Sequence, residues 1–112
     1  MPAEAIDEAL VALAHPARRR LVELCLTAER SVGELGQGAG LRQPAASQHL
    51  RVLRDARLLE VRRDGNRRLY RVDFARLAHV RATLEQLWGG RLPELKRAAE
   101  ARARLSADDA QR

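Results

Sequence analysis

At 112 residues, 46% of them hydrophobic but only three aromatic, the chain is the size of one domain, and its core has to come from Leu, Val and Ala, which suits packed helices. No apolar run reaches membrane-span length, the opening M-P-A-E-A-I-D-E is acidic rather than signal-like, and the lone Cys25 cannot close an intramolecular disulfide, so the expectation is a cytoplasmic protein with no membrane partner. The net charge of +6, with arginine supplying all but one of the basic residues, comes without a Ser-His-Asp or Cys-His set, paired carboxylates or a phosphate-cradling loop, since Gly36, Gly38 and Gly40 form neither a dinucleotide nor a P-loop signature; the chain reads as no enzyme and as needing no cofactor.

In chain order, a first helix is expected over about Glu4 to Ala14, with Ile6, Leu10 and Leu13 on one stripe, and a second over about Ala17 to Thr27, behind Pro16. Leu21, Leu24 and Cys25 share a face of the second helix, which makes Cys25 a small buried hydrophobe rather than a thiolate sensor. Ser31-Val32-Gly33-Glu34 has the form of a capping box, so a third helix begins at Val32. It ends near Gly36, Gly38 and Gly40, glycines that are expected to fray it or loosen the turn that follows. A fourth helix spans about Gln43 to Ala56, with Ala46, Leu50 and Leu53 at helical spacing and Gln43, Ser47, Gln48 and Arg51 facing out. Residues Leu58 to Val72 alternate around Asp64-Gly65-Asn66, the pattern of a two-stranded hairpin with a tight turn. A fifth helix covers about Phe74 to Trp88, broken by Gly89-Gly90, and a last one about Leu92 to Leu105, which leaves 106–112 as a disordered tail behind a single domain of residues 1–105.

Amides, a hydroxyl and a guanidinium on one helix face can read base edges in a DNA major groove. Between Arg42 and Arg71 nine arginines stand against Asp55, Glu60 and Asp64, an excess equal to the net charge of the whole chain, +6. The basic excess is therefore local to the fourth helix and the hairpin, the elements that would meet duplex phosphate. Arginine-rich composition and a solvated charged hairpin are the plainer accounts, and clustering is what they leave unexplained. Strand alternation prevents Arg62, Arg63, Arg67 and Arg68 from all facing one surface; Arg63, Arg67 and Arg68, near the turn, are expected to reach the DNA backbone or a minor groove.

The segments ALAHPARRRLVEL (residues 12–24), SVGEL (31–35), LRQPAASQHLRVLRDARLL (41–59) and VRRDGNRRLYR (61–71), taken together and in order, resemble the ArsR/SmtB family of bacterial winged-helix repressors, a likeness that covers about residues 6–88. The resemblance implies a mainly α, dimeric winged helix-turn-helix of five to six helices with a two-stranded wing, acting on double-stranded DNA of the bacterial nucleoid. Carried over by position, it implies base reading by Gln43, Ser47 and Gln48, with His49 toward the helix flank. Where relatives put Ser as the N-cap, this chain has Arg42, which cannot accept a bond from the first-turn amides but can lie along phosphate.

Many family members release DNA on meeting a metal or an oxidant. Their cysteine pair would fall at Ser31, Val32 and Gly33, and helix 5 has only His79, with no later histidine, so no metal site is expected. L-E-Q-L-W (residues 84–88) resembles a family subgroup with a tryptophan-containing last helix and no metal ligands. A two-fold dimer interface is expected from Ile6, Leu10 and Leu13 together with Leu84, Leu87 and Trp88, because two reading helices must reach adjacent major grooves. The whole reads as a sequence-specific, homodimeric repressor on a pseudo-palindromic operator. A protein-docking winged helix and a metal- or oxidant-sensing repressor with an unfamiliar site are the two alternatives.

Overall fold

The computed structural model describes residues 3–87, 89 and 91–110. Helix α1 (Ala3–Leu13) leads into α2 (Pro16–Thr27), where His15 is the N-cap and its Nδ1 accepts from the Ala17 amide at 3.2 Å. Strand β1 (Arg30–Ser31) runs directly into α3 (Val32–Ala39). Ser31 closes the expected capping box: the Glu34 amide donates to Ser31 Oγ at 3.3 Å and the Ser31 amide to Glu34 Oε1 at 3.1 Å.

The glycines after the box do not fray the helix, contrary to the sequence expectation. At Gly36 a Cβ would stand 3.0 Å from the Leu41 carbonyl and 3.5 Å from Ala46 Cβ, so the missing side chain lets α3 approach the start of α4 (Gln43–Asp55). Gly40 then ends α3 in the left-handed region at φ 67°, where glycine has no Cβ to clash. Helices α3 and α4 with this tight turn make a helix-turn-helix.

Strands β2 (Leu59–Asp64) and β3 (Arg67–Val72) pair antiparallel from Leu59↔Val72 to Asp64↔Arg67 around the two-residue turn Gly65-Asn66. The sheet has three strands in the order β1-β3-β2, one more than the expected hairpin, with Arg30↔Tyr70 and Ser31↔Leu69 as the added pairs. Two residues are too short a run to show alternation, and Ser31 serves as strand end and helix cap at once. Helices α5 (Phe74–Leu87) and α6 (Leu92–Ala110) complete the chain.

The chain divides into two compact units, residues 1–80 and 81–112. The core of the first is Leu21, Leu35, Leu50, Leu53, Leu58, Leu59 and Val80, all fully buried, with Ile6, Ala9 and Ala12 from α1 and Tyr70 and Val72 from β3. Each such leucine contributes about 1.5–3 kcal/mol by leaving water. In the second unit α6 is exposed throughout its described side chains and runs to Ala110, so residues 106–110 are helical where a disordered tail was expected. Ser106-Ala107-Asp108-Asp109-Ala110 has neither Gly nor Pro to stop a helix. Among the described residues no helix is long and apolar enough to cross a membrane.

One residue of the expected dimer surface lies inward. Ile6 is buried within its own chain, since Ile6, Ala9 and Ala12 form the inward stripe of α1, while Leu10 and Val11 are exposed. Leu13 and Leu84 are half-buried and Leu87 is exposed. Trp88 lies outside the described residues.

Candidate nucleic-acid interface

Helix α4 buries Ala46, Leu50 and Leu53 and turns Ser47, Gln48 and Arg51 the other way, with Gln43 and Arg42 exposed at its first turn. Arg42 occupies the N-cap and makes no side-chain cap bond, and Pro44 follows within the first turn. The remaining amides there, orphaned at any helix start, are left to an outside acceptor.

His49 stands apart from this face. Half-buried, it accepts from Arg18 Nε through Nδ1 at 3.3 Å, and its ring lies 4.6 Å from that of His15 between centroids. Burial first, then the charges of His15 and Arg18, push its imidazole below the ordinary 6.5. His49, a candidate DNA contact set on the helix flank, bonds α4 to α2 through partners that lie 31 or more positions away in sequence.

The wing sorts its arginines by face. On one side Arg62 donates through Nε and Nη2 to Glu29 Oε2 at 3.0 and 2.7 Å. Arg71 reaches Glu60 at 2.7 Å and Glu29 at 3.5 Å, and Arg67 reaches Glu34 Oε1 at 3.0 Å. The Glu34 carboxyl is held below its usual range first by the Ser31 amide, then by the Ser31 hydroxyl, with Arg67 adding to it. Glu29 is lowered chiefly by its bond from Arg62. Exposed pairs of this kind stabilise little, but they decide which guanidinium groups are already engaged.

Arg63 and Arg68 lie on the opposite face, in register with each other and continuing the face of Leu59, Val61, Tyr70 and Val72 past the core. Like charges directly opposed across two strands cost stability, and an anion seated between them would relieve it. Within residues 42–71, Arg42, Arg51, Arg54, Arg57, Arg63 and Arg68 make no ion pair, so the unopposed guanidinium groups of that segment sit on α4, its exit and the outer wing. The roles of Glu29 and Glu34 were missed in sequence: the capping box marked Glu34 as a helix-start residue, and nothing linked it to an arginine 33 positions later.

A helix-turn-helix domain model matches residues 13–62. The HTH-type transcriptional regulator Rv2034 of Mycobacterium tuberculosis is 43% identical over 82 residues, which span 73% of this chain and 77% of that protein. The transcriptional repressor BigR of Xylella fastidiosa superposes with a TM-score of 0.60 at 37% identity, over 77% of this chain and 88% of that one. The homodimeric winged helix-turn-helix DNA-binding domain Mb0332 of Mycobacterium bovis does so with a TM-score of 0.62 at 32% identity, over 76% and 83%. A capped helix-turn-helix, a polar α4 face, a basic wing and these relatives lead to one conclusion: the chain belongs to the ArsR/SmtB-like winged helix-turn-helix family of DNA-binding transcriptional regulators.

Proposed function

We propose that the protein is a homodimeric repressor of the bacterial cytoplasm that reads a pseudo-palindromic operator through α4 and grips phosphate with the outer wing. The observation that carries this is the segregation of charge: Arg63 and Arg68 stand unopposed while Arg62, Arg67 and Arg71 are neutralised by Glu29, Glu34 and Glu60. On α4, Gln43 and Gln48 are the adenine readers, able to pair bidentately with N6 and N7, and Ser47 and Arg51 flank them. Arg42 lies along the phosphate backbone, where a charge-assisted contact offsets the absent cap. Arg67 is a weaker contact than its neighbours, since it must first leave Glu34.

Dimerisation through Leu10, Leu13, Leu84 and Leu87 is supported by the exposure of Leu10 and Leu87, by the half-exposed Leu13 and Leu84, and by the homodimeric state of the Mb0332 domain; repression is supported by the repressor BigR. The test is affinity over a salt series on a selected operator and on random duplex. Gln43→Ala or Gln48→Ala should cost about 1–3 kcal/mol on the operator and little on random DNA. Arg63→Ala or Arg68→Ala should weaken both and lower the salt slope by about one unit per lost phosphate contact, with Arg67→Ala changing it less. Equal losses on both duplexes for the glutamine variants would remove α4 as the reader.

A further inference from the structure

We propose that Arg76 is a positioning residue for the reading helix: from the first turn of α5 it clamps the last carbonyl of α4 and so sets where Gln43, Ser47 and Gln48 meet the bases. The inference rests on α4 being the reader. Arg76 is 5% exposed and is the one buried charged residue among those described. Taking a guanidinium out of water is expensive unless its donors are placed, and here Nε and Nη2 both donate to the carbonyl of Ala56 at 3.3 Å. Ala56 is the C-cap of α4, where the helix presents unsatisfied carbonyls and the negative end of its dipole.

The surrounding bonds make the junction a unit. The Asp73 amide donates to the Leu58 carbonyl at 3.0 Å, and Asp73 Oδ1 accepts from the Arg76 amide at 3.0 Å, so the start of α5 is tied to the exit of α4 by backbone as well as by guanidinium. At the other end of α4 the Arg42 N-cap supplies no side-chain bond. The clamp thus holds α4 at the end far from Gln43, while the buried Ala46 and Leu50 and the His49–Arg18 bond hold its body. At 1.5 Å per residue that separation is about 20 Å, so a tilt of about 5° at the clamp displaces Gln43 by more than about 1 Å. Bidentate base contacts tolerate only about 0.5 Å. Phosphate contacts through long flexible arginines tolerate far more, so loss of the clamp should strike sequence preference rather than general DNA affinity.

The experiment measures Arg76→Gln, Arg76→Lys and Gln48→Ala in the full chain on operator and random duplex, with folding followed by circular dichroism. Arg76→Gln should lower the operator-to-random ratio about tenfold at an unchanged salt slope, and Arg76→Lys, which keeps the charge and a donor, should recover part of it. A purely structural residue would lower the melting temperature and leave the ratio of the folded protein unchanged, and that result for Arg76→Gln or Arg76→Lys overturns the proposal. If Arg76→Gln does not fold, Arg76→Lys decides, together with the Arg76 Nε resonance of the unmodified protein: it should stay protected from solvent exchange in the operator complex, and its release there counts against the clamp. Should Gln48→Ala keep the ratio as well, it is the assignment of α4 as reader that has failed.

Discussion

Gly40 and Arg57 occupy the same place at the ends of two consecutive helices. After α3 the Leu41 amide reaches back to Gly36 and the Gly40 amide to Gln37; after α4 the Leu58 amide reaches Leu53 and the Arg57 amide Arg54, the same six-to-one and five-to-two pair. Gly40 adopts φ 67° freely, whereas Arg57 holds φ 65° with a Cβ. A non-glycine residue there stores strain of about 1 kcal/mol or more. Arg57→Gly should therefore raise stability by about 0.5–1 kcal/mol net of the added chain entropy, read as a higher urea midpoint at unchanged slope; a lower midpoint would mean that the arginine side chain outweighs its backbone. Cys25 answers a different question at this scale. It is 3% exposed, and burial, opposed by Arg30, pushes its thiol from an ordinary 9.0 to about 11. Raised in the folded state, the group contributes stability that is whole below pH 9 and is lost as pH rises toward 11, and Cys25→Ala should flatten that alkaline decline in pH-dependent melts. Rapid alkylation of the native thiol at pH 7 would contradict the burial argument.

Among the elements, the helices were legible because each has a stripe of apolar residues at helical spacing, and the hairpin because its alternation flanks Asp64-Gly65-Asn66. What was not legible depended on contacts between distant positions. Alternation showed that the wing arginines divide between two faces, but only the reach of Glu29 and Glu34 across the sheet decides that Arg62 and Arg67 are engaged while Arg63 and Arg68 are not. The glycines of α3 misled for the same reason: the price of interior glycine is local, and the close approach it permits to Leu41 and Ala46 is tertiary. Gly33 has open space where Gly36 has none, so Gly33→Ala should stabilise by about 0.5–1 kcal/mol and Gly36→Ala destabilise by about 1–3 kcal/mol in the same denaturation series. His49 shows what a packed flank does to an element. Because its imidazole is lowered, the unfolded chain binds the proton more readily, so the α2–α4 contact is whole above pH 6.5 and weakens as pH falls below it. An NMR titration placing His49 at or above 6.5 would remove that acid sensitivity.

For the whole molecule, the charge balance and the dimer are one problem. The excess of +6 lies within residues 42–71, and ion pairing leaves its unopposed guanidinium groups on α4, its exit and the outer wing, the surface proposed to meet a duplex. A single such surface binds phosphate but reads only half of a two-fold site; operator preference requires a second α4 about 34 Å away, one helical turn along the DNA. Leu87, 70% exposed in the second unit, and Leu10 on α1 are the apolar positions proposed to hold the partner chain, whereas the burial of Ile6 takes it out of that surface. A glutamate at position 87 adds a charge that must be desolvated on each side of a two-fold contact and should split the dimer without disturbing the core of residues 1–80. Leu87→Glu should accordingly halve the mass seen by light scattering at micromolar concentration and lose operator binding, while keeping a weak, salt-sensitive affinity for random duplex through its intact α4 and wing. A monomeric mass for the unmodified chain, or a dimeric Leu87→Glu variant with full operator affinity, would rule out Leu87 as an interface residue and separate operator reading from that surface.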